Sequence, residues 1–190
     1  MAITYRTTPL VPAIELPAGN PIALGTPLPP APTPTPEPEP ANFVGQVNLI
    51  IPVAGVRPDQ LIDTFDEARS EGRVHDAIDI MAAAETPVLA ASDGKILKLF
   101  NSDRGGTTIY QLNTNGDLVF YYAHLSRYAV GLVEGNTVKQ GEVIAYVGDT
   151  GNAGPGNYHL HFSIAAVSDP KRYWEGTNIN PYPLLHDRTR

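Results

Sequence analysis

The chain has 190 residues, enough for one ordinary domain with a sizeable core and an appendage. Its formal net charge of −7 leaves no basic footprint for nucleic acid and argues against tight binding to anionic membrane surfaces. Cysteine is absent, which removes disulfides, thiolate ligands and cysteine nucleophiles together, so any metal must be held by His, Asp or Glu.

No apolar run approaches the roughly 20 residues of a membrane helix. Residues 1–6 lack the basic start and apolar stretch of a secretory signal. The expectation is a chain that begins after a removed signal or anchor. A substrate bearing its own negative charge would need a local basic patch, and the sequence does not locate one.

Twelve of the nineteen prolines fall within residues 1–41, and from Pro32 to Pro40 every second residue is proline. Such a run lacks half its backbone donors and favours an extended polyproline II spacer. A ligand for a partner protein is the other use of this composition. Residues 42–72 form a lead-in. Within it, 58–72 has a helical pattern, with Leu61, Phe65 and Ala68 at i, i+4 and i+7 and with Asp63, Asp66, Glu67 and Arg69 for the other face. Pro58 suits its first turn and Gly72 its stop, which predicts a short packing helix without chemistry.

From about residue 74 the pattern changes to short strands, predicted at 87–90, 95–100, 107–112, 118–124, 143–147 and 158–165. Asn115-Gly116 marks a hairpin between the third and fourth of these. Many short strands with glycine turns and one helix indicate a mainly β, antiparallel fold.

Four of the five histidines lie in three short segments of this β region: His75-Asp76-Ala77-Ile78-Asp79, Tyr122-Ala123-His124-Leu125 and His159-Leu160-His161. Imidazole nitrogens and a carboxylate are the ligands that zinc takes when thiolates are absent. His159 and His161 project from one face of a strand, with Cβ atoms about 6–7 Å apart. At that separation both can share a metal, or one can bind it while the other reaches a water; spacing leaves this open. In an ideal strand His75 and Asp79 would stand about 13 Å apart, too far for one ion. A bend between them is therefore expected, with the histidine on a loop and the aspartate on the following strand.

The order His-x-x-x-Asp, Tyr-x-His-Leu, His-Leu-His-Phe resembles the lysostaphin/LytM-type zinc metalloendopeptidases of bacterial cell walls. The resemblance covers about residues 73–166 and extends to Thr86-Pro87-Val88, Ser92-Asp93-Gly94-Lys95-Ile96, Val138-Lys139-Gln140-Gly141 and Gly148-Asp149-Thr150-Gly151. It implies an antiparallel sheet/barrel-sandwich hybrid, the duplicated hybrid motif, over a domain at 73–185 followed by a tail at 186–190. It also implies Zn2+ on His75, Asp79 and His161, with His124 and His159 as catalytic residues. The implied function is hydrolysis of peptidoglycan peptide cross-links by activated water with histidine acid/base assistance. Periplasm or cell envelope is the implied location, with an envelope partner through the Pro-rich stalk as an expectation. Ala77 and Glu85 stand where the family commonly has glycine, and Ser163 where an acidic residue is frequent. Since Ala disfavours positive φ, the bend near Ala77 must use ordinary dihedrals or sit elsewhere.

Other features read more plainly. His186 is a surface histidine, and 151–157 is a flexible loop at the rim of the cleft that lacks the ending of a phosphate-binding loop. Tyr121, Tyr122 and Tyr128 are core or cleft-wall residues, and Trp174 lines the groove or covers the core. Two other functions compete with the enzyme. One is an envelope-associated regulatory relative that activates a cell-wall amidase, although such relatives generally have damaged ligand sets. The other is a biotinyl- or lipoyl-type carrier, for which neither Lys95 nor Lys139 has the usual neighbours.

Overall fold

A computed structural model describes residues 48–69 and 72–187. The Pro-rich spacer expected over 1–41 lies outside the described residues. The chain forms strands β1 (Ile78–Met81), β2 (Pro87–Leu89), β3 (Gly94–Ser102), β4 (Gly106–Asn113), β5 (Leu118–Tyr128), β6 (Thr137–Val138), β7 (Val143–Val147), β8 (His159–Ala166) and β9 (Thr177–Ile179), then a short helix α1 (Pro181–His186). Every strand pairing is antiparallel. Among the described residues no helix is long and apolar enough to cross a membrane.

The order β1-β8-β5-β4-β3-β6 gives the main path, with β9 beside β8 and β2 beside β7. β5 is the pivot. Its first half, Leu118 to Ala123, pairs with β8 from Ala166 back to His161, while Leu125 to Tyr128 pairs with β7. The change of partner falls at His124, which has φ 60. One strand thereby serves two layers, which is how an open sheet folds over its own core. Gly148 allows the close approach this needs, because a Cβ there would lie 2.4 Å from Ser126 N and 2.8 Å from His124 O.

Side chains alternate as the pleat requires. On β8, Leu160, Phe162 and Ile164 are buried in the core, together with Ile78 and Ile80 of β1 and with Phe120 and Tyr122 of β5. His159, His161 and Ser163 project from the opposite face. The buried Tyr122 phenol accepts from Ala91 N–H at 2.9 Å and donates to Gln111 Oε1 at 2.6 Å. Gln111 Nε2 in turn donates to Ser92 O at 2.7 Å, so this polar group in the core is fully paired. Tyr128, half-buried, shares its hydroxyl with Phe100 O and Thr108 O.

The helix expected over 58–72 is not formed. Only Pro58–Gln60 makes a turn of 3-10 helix. Of the expected stripe Leu61, Phe65 and Ala68, Leu61 alone is buried. The backbone donors are used elsewhere: Arg69 N–H donates to Arg73 O at 2.9 Å, His75 N–H to Glu67 O at 3.0 Å and Asp76 N–H to Phe65 O at 3.0 Å. Those bonds make an irregular hairpin of 65–69 against 73–76, reversed at Gly72 with φ 70. Tertiary pairing has overridden a weak local propensity. The Asn115-Gly116 hairpin forms as expected, with Gly116 at φ 81 and Asn113 Oδ1 accepting from the N–H groups of Gly116, Asp117 and Leu118.

Candidate metal centre and cleft

Asp79 on β1 lies directly opposite His161 on β8, and Ala123 of β5 is opposite His161 on the other side. A cross-strand pair of this kind brings two side chains together without loop contributions. His75 arrives differently. The bend expected between His75 and Asp79 sits at Asp76, whose φ is 56, while Ala77 keeps ordinary dihedrals and is buried. Asp tolerates the left-handed region better than most residues, so Ala in place of glycine does no harm here.

The result is a tight cluster. His75 Nε2 lies 2.9 Å from His161 Nδ1 and 3.0 Å from Asp79 Oδ1, and His161 Nδ1 lies 3.2 Å from the same oxygen. The tautomer of His75 follows from its other nitrogen: Nδ1 lies 2.9 Å from Thr64 O, and a carbonyl only accepts, so Nδ1 carries the hydrogen. His75 Nε2 therefore presents a lone pair to the carboxylate and the second imidazole. Electron-pair donors crowded in this way repel unless a cation lies at their focus. Two imidazole nitrogens and one carboxylate oxygen, all within 4.8 Å of one another, are a donor set that suits zinc with one position left open.

Thr64 and Arg69, in the segment read as an inert helix, turn out to support this cluster. Asp79 N–H donates to Thr64 Oγ1 at 3.1 Å, and Arg69 Nη2 donates to Asp79 Oδ2 at 2.7 Å. Arg69 thus occupies one carboxylate oxygen and leaves Oδ1 facing the histidines. Such outer partners orient ligands and tune the metal. Burial disfavours the Asp79 carboxylate, but its contacts with the His161 and His75 imidazoles outweigh it and hold the group well below the usual carboxylate range. Burial lowers His161 despite its contact with Asp79.

His124 and His159 are buried, at 6% and 5% exposure, with ring centroids 4.8 Å apart. Both are aimed by their main-chain partners. His124 Nδ1 donates to Thr150 O at 2.8 Å, and His159 Nδ1 donates to Asn157 O at 2.9 Å. Each consequently offers Nε2 as an acceptor, and His159 Nε2 is 3.7 Å from Asp79 Oδ1. Burial pushes the His124 pKa down to about 4, overcoming the Thr150 carbonyl, and the neighbouring histidines lower it further. It is neutral at physiological pH.

These five residues line one cleft of about 300 Å³, with Tyr121 on its wall and Asn152, Ala153 and Asn157 at its rim. The loop 151–157 is therefore where the sequence placed it, pinned by Gly156 N–H to Asp149 Oδ2 at 2.8 Å and by Asn152 N–H to Arg104 O at 2.9 Å. Tyr121 meets His161 edge-on at 6.1 Å. His186 stays outside, stacked on Tyr182 in α1. Trp174 is 63% exposed, so it does not cover the core, and it is absent from the cleft lining.

Residues 73–181 match the model of peptidase family M23. Among curated proteins, the chain is 41% identical over 101 residues to the DD-carboxypeptidase/endopeptidase Mpg of Neisseria meningitidis serogroup B, covering 52% of this chain and 21% of the relative. It is 30% identical over 129 residues to the L-Ala–D-Glu endopeptidase of Bacillus subtilis, covering 64% of this chain and 38% of that one. The chain thus spans well under half the length of these relatives. Among solved structures, the catalytic domain of the antimicrobial peptidase lysostaphin from Staphylococcus simulans superposes with a TM-score of 0.52 at 32% identity, over 60% of this chain and 81% of that one.

Proposed function

The chain belongs to peptidase family M23, and on that premise we propose that it is a zinc-dependent endopeptidase hydrolysing peptide cross-links of bacterial peptidoglycan. The observation that carries this reading is the convergence of His75 Nε2, Asp79 Oδ1 and His161 Nδ1, with two further imidazoles turned toward the same point. The endopeptidase names of the relatives support it. Zinc in such a ligand set supplies Lewis acidity, drawing electron density from a peptide carbonyl and lowering the pKa of water.

The chain's own residues supply proton handling and positioning. Hydrolysis breaks the peptide C–N bond, adds hydroxyl to the carbonyl carbon and delivers a proton to the departing amine. His159 Nε2, 3.7 Å from the Asp79 ligand atom, takes the proton from water, and the resulting imidazolium returns it to the amine nitrogen. His124 is held neutral and offers a second lone pair that orients the reacting groups. Should it acquire a proton, its depressed pKa makes it a ready donor. Because Thr150 O and Asn157 O fix both rings beforehand, little reorganisation is needed at the reaction step.

The same reading assigns the protein to the bacterial envelope, the periplasm in a thin-walled cell, with residues 1–41 as a spacer. Digestion of defined muropeptides, followed by mass identification of the new termini, tests the activity. Cleavage at a stem-peptide or bridge bond that stops in chelator and returns with zinc is the expected result. No new termini from zinc-loaded protein would end the reading.

A further inference from the structure

A series of aromatic rings leaves the cleft and ends in solvent. Tyr121 stands on the cleft wall and meets the ring of the metal donor His161 edge-on at 6.1 Å. Its cross-strand partner on β4 is Tyr110, with ring centroids 4.7 Å apart. Tyr173 packs on Tyr110 at 4.9 Å, and Trp174 meets Tyr173 edge-to-face at 5.0 Å. The three tyrosines are half-buried, whereas Trp174, the one tryptophan of the chain, is 63% exposed.

The fold holds the indole in this exposed position. Pro170–Arg172 is a 3-10 turn capped by Asp169, whose Oδ1 accepts from Lys171 N–H at 2.9 Å, and Glu175 N–H donates to Arg172 O at 2.9 Å. The segment is then clamped to the end of β8, where a Cβ on Gly176 would lie 2.6 Å from Ala166 O. Keeping a large apolar ring in water forgoes hydrophobic stabilisation, while a rigid indole gives a flat contact surface with little entropy to lose. Its margin is charged: Lys171 is exposed, and Arg172 pairs with Glu175. One indole offers up to about 250 Å², far below the roughly 800 Å² per partner of a stable protein interface. A pyranose is a ligand that needs one flat apolar face and a polar margin. Its C–H groups lie on the electron-rich face of the ring, and its hydroxyl and amide groups turn to the charged edge.

We propose that Trp174, buttressed by Tyr173 and Tyr110, is a saccharide subsite that stacks on a sugar ring of the glycan strand bearing the scissile peptide. This rests on the endopeptidase reading above and extends the contact from the peptide to the strand that carries it. The reach is suitable. Ring steps of 4.7 to 6.1 Å lead from His161 to Trp174. Their contour is at most on the order of 20 Å, which about six extended residues span at ~3.3–3.6 Å each. A sugar held at Trp174 leaves its short peptide to run past the tyrosines to the metal donors.

With a single tryptophan in the chain, indole fluorescence reports on this site alone. Titrating the full chain with the β-1,4-linked tetrasaccharide of N-acetylglucosamine should shift the emission to shorter wavelength and saturate, with or without zinc. By calorimetry, Trp174→Ala should lower the affinity roughly tenfold, the cost of removing one stacking ring, and Trp174→Phe should retain part of it. Hydrolysis gives a second readout. The zinc-loaded chain should cleave a disaccharide-bearing muropeptide with kcat/KM roughly tenfold above the same peptide without sugar, and Trp174→Ala should bring that ratio toward one. Because the ratio is compared within each variant, partial misfolding does not mimic the effect. No saturable emission change, an affinity unaltered in Trp174→Ala, or equal hydrolysis with and without sugar overturns the proposal and leaves the endopeptidase reading intact. Emission that follows protein concentration instead of sugar, with dimers in sedimentation, would overturn it in favour of a contact between copies. Sugar binding by protein that cleaves no muropeptide would keep the saccharide subsite and overturn the endopeptidase reading.

Discussion

β8 and the segment 64–76 reach the same cluster of nitrogen and oxygen atoms by different means. In β8 a regular strand places Leu160, Phe162 and Ile164 in the core and turns His159 and His161 to the cleft, so the packing that stabilises the strand also aims its histidines. Segment 64–76 has no such periodicity. It depends on a left-handed Asp76, a reversal at Gly72, hydrogen bonds accepted by Thr64 from His75 and Asp79, and one donated by Arg69 to Asp79. A strand supplies ligands through a repeated geometry, and an irregular hairpin supplies their orientation through one-off contacts. Substitutions in the two regions should accordingly differ in kind and in size.

The largest effect is expected on β8. His161→Ala removes a donor that sits between Asp79 and His75, and it should abolish stoichiometric zinc together with hydrolysis, as read by metal analysis of the purified protein. Retention of one zinc per chain would break the assignment of β8 as the source of a ligand. Next come the two imidazoles aimed by carbonyls. His159→Ala and His124→Ala should keep zinc and lose about 10²- to 10⁴-fold in kcat. Full turnover in His124→Ala would remove it from the reaction.

A pH series then sharpens the comparison, since His124 sits at the break in β5 and titrates far from its ordinary value. Its pKa falls from 6.5 to about 4 on folding. Between those values the unfolded chain binds more protons than the native one, so stability rises with pH. The His124 contribution is complete above about pH 6.5 and is lost as pH falls toward 4, by roughly 3 kcal/mol. Urea unfolding at pH 7 and pH 4 should show a smaller loss in His124→Gln than in the parent chain. Identical losses would mean that His124 is not held neutral by the fold.

The hairpin effects are smaller. Arg69→Gln keeps all three ligands but frees Asp79 Oδ2, and zinc affinity should fall about 10- to 100-fold with the fold unchanged. An unaltered affinity would remove Arg69 from the support of the metal ligands. Smallest is Glu85→Gly. Glu85 has φ 63 where a side chain is strained, and its carboxylate makes only an exposed pair with Arg127 at 3.0 Å. Relief of the strain outweighs that pair, so thermal unfolding should show a gain of up to about 1 kcal/mol.

Much of the site was legible because β structure has a period of two. Ile78 and Ile80 flanking Asp79, and Leu160 and Phe162 around His161, give the face of each side chain without coordinates, and the strand at 143–147 is found at those residues. The need for a bend between His75 and Asp79 also followed from strand length alone. The supporting layer was not legible. Thr64 and Arg69 lie in a stretch whose i, i+4, i+7 apolar pattern has the form of a helix, and nothing local says that its backbone donors will go to residues 73–76. Short helices are marginal, so a handful of long-range bonds decides the outcome.

By itself, then, the sequence determined the donor chemistry, the antiparallel architecture and the strand faces, since these depend on residue type and on local periodicity. Only the tertiary structure decided the focus of the cleft. Register set Asp79 opposite His161, a partner change in β5 turned His124 inward, and two distant segments brought Arg69, Arg73 and Arg104 into the lining of one cleft. Each of those depends on contacts between residues far apart in the chain, which local backbone preferences do not encode.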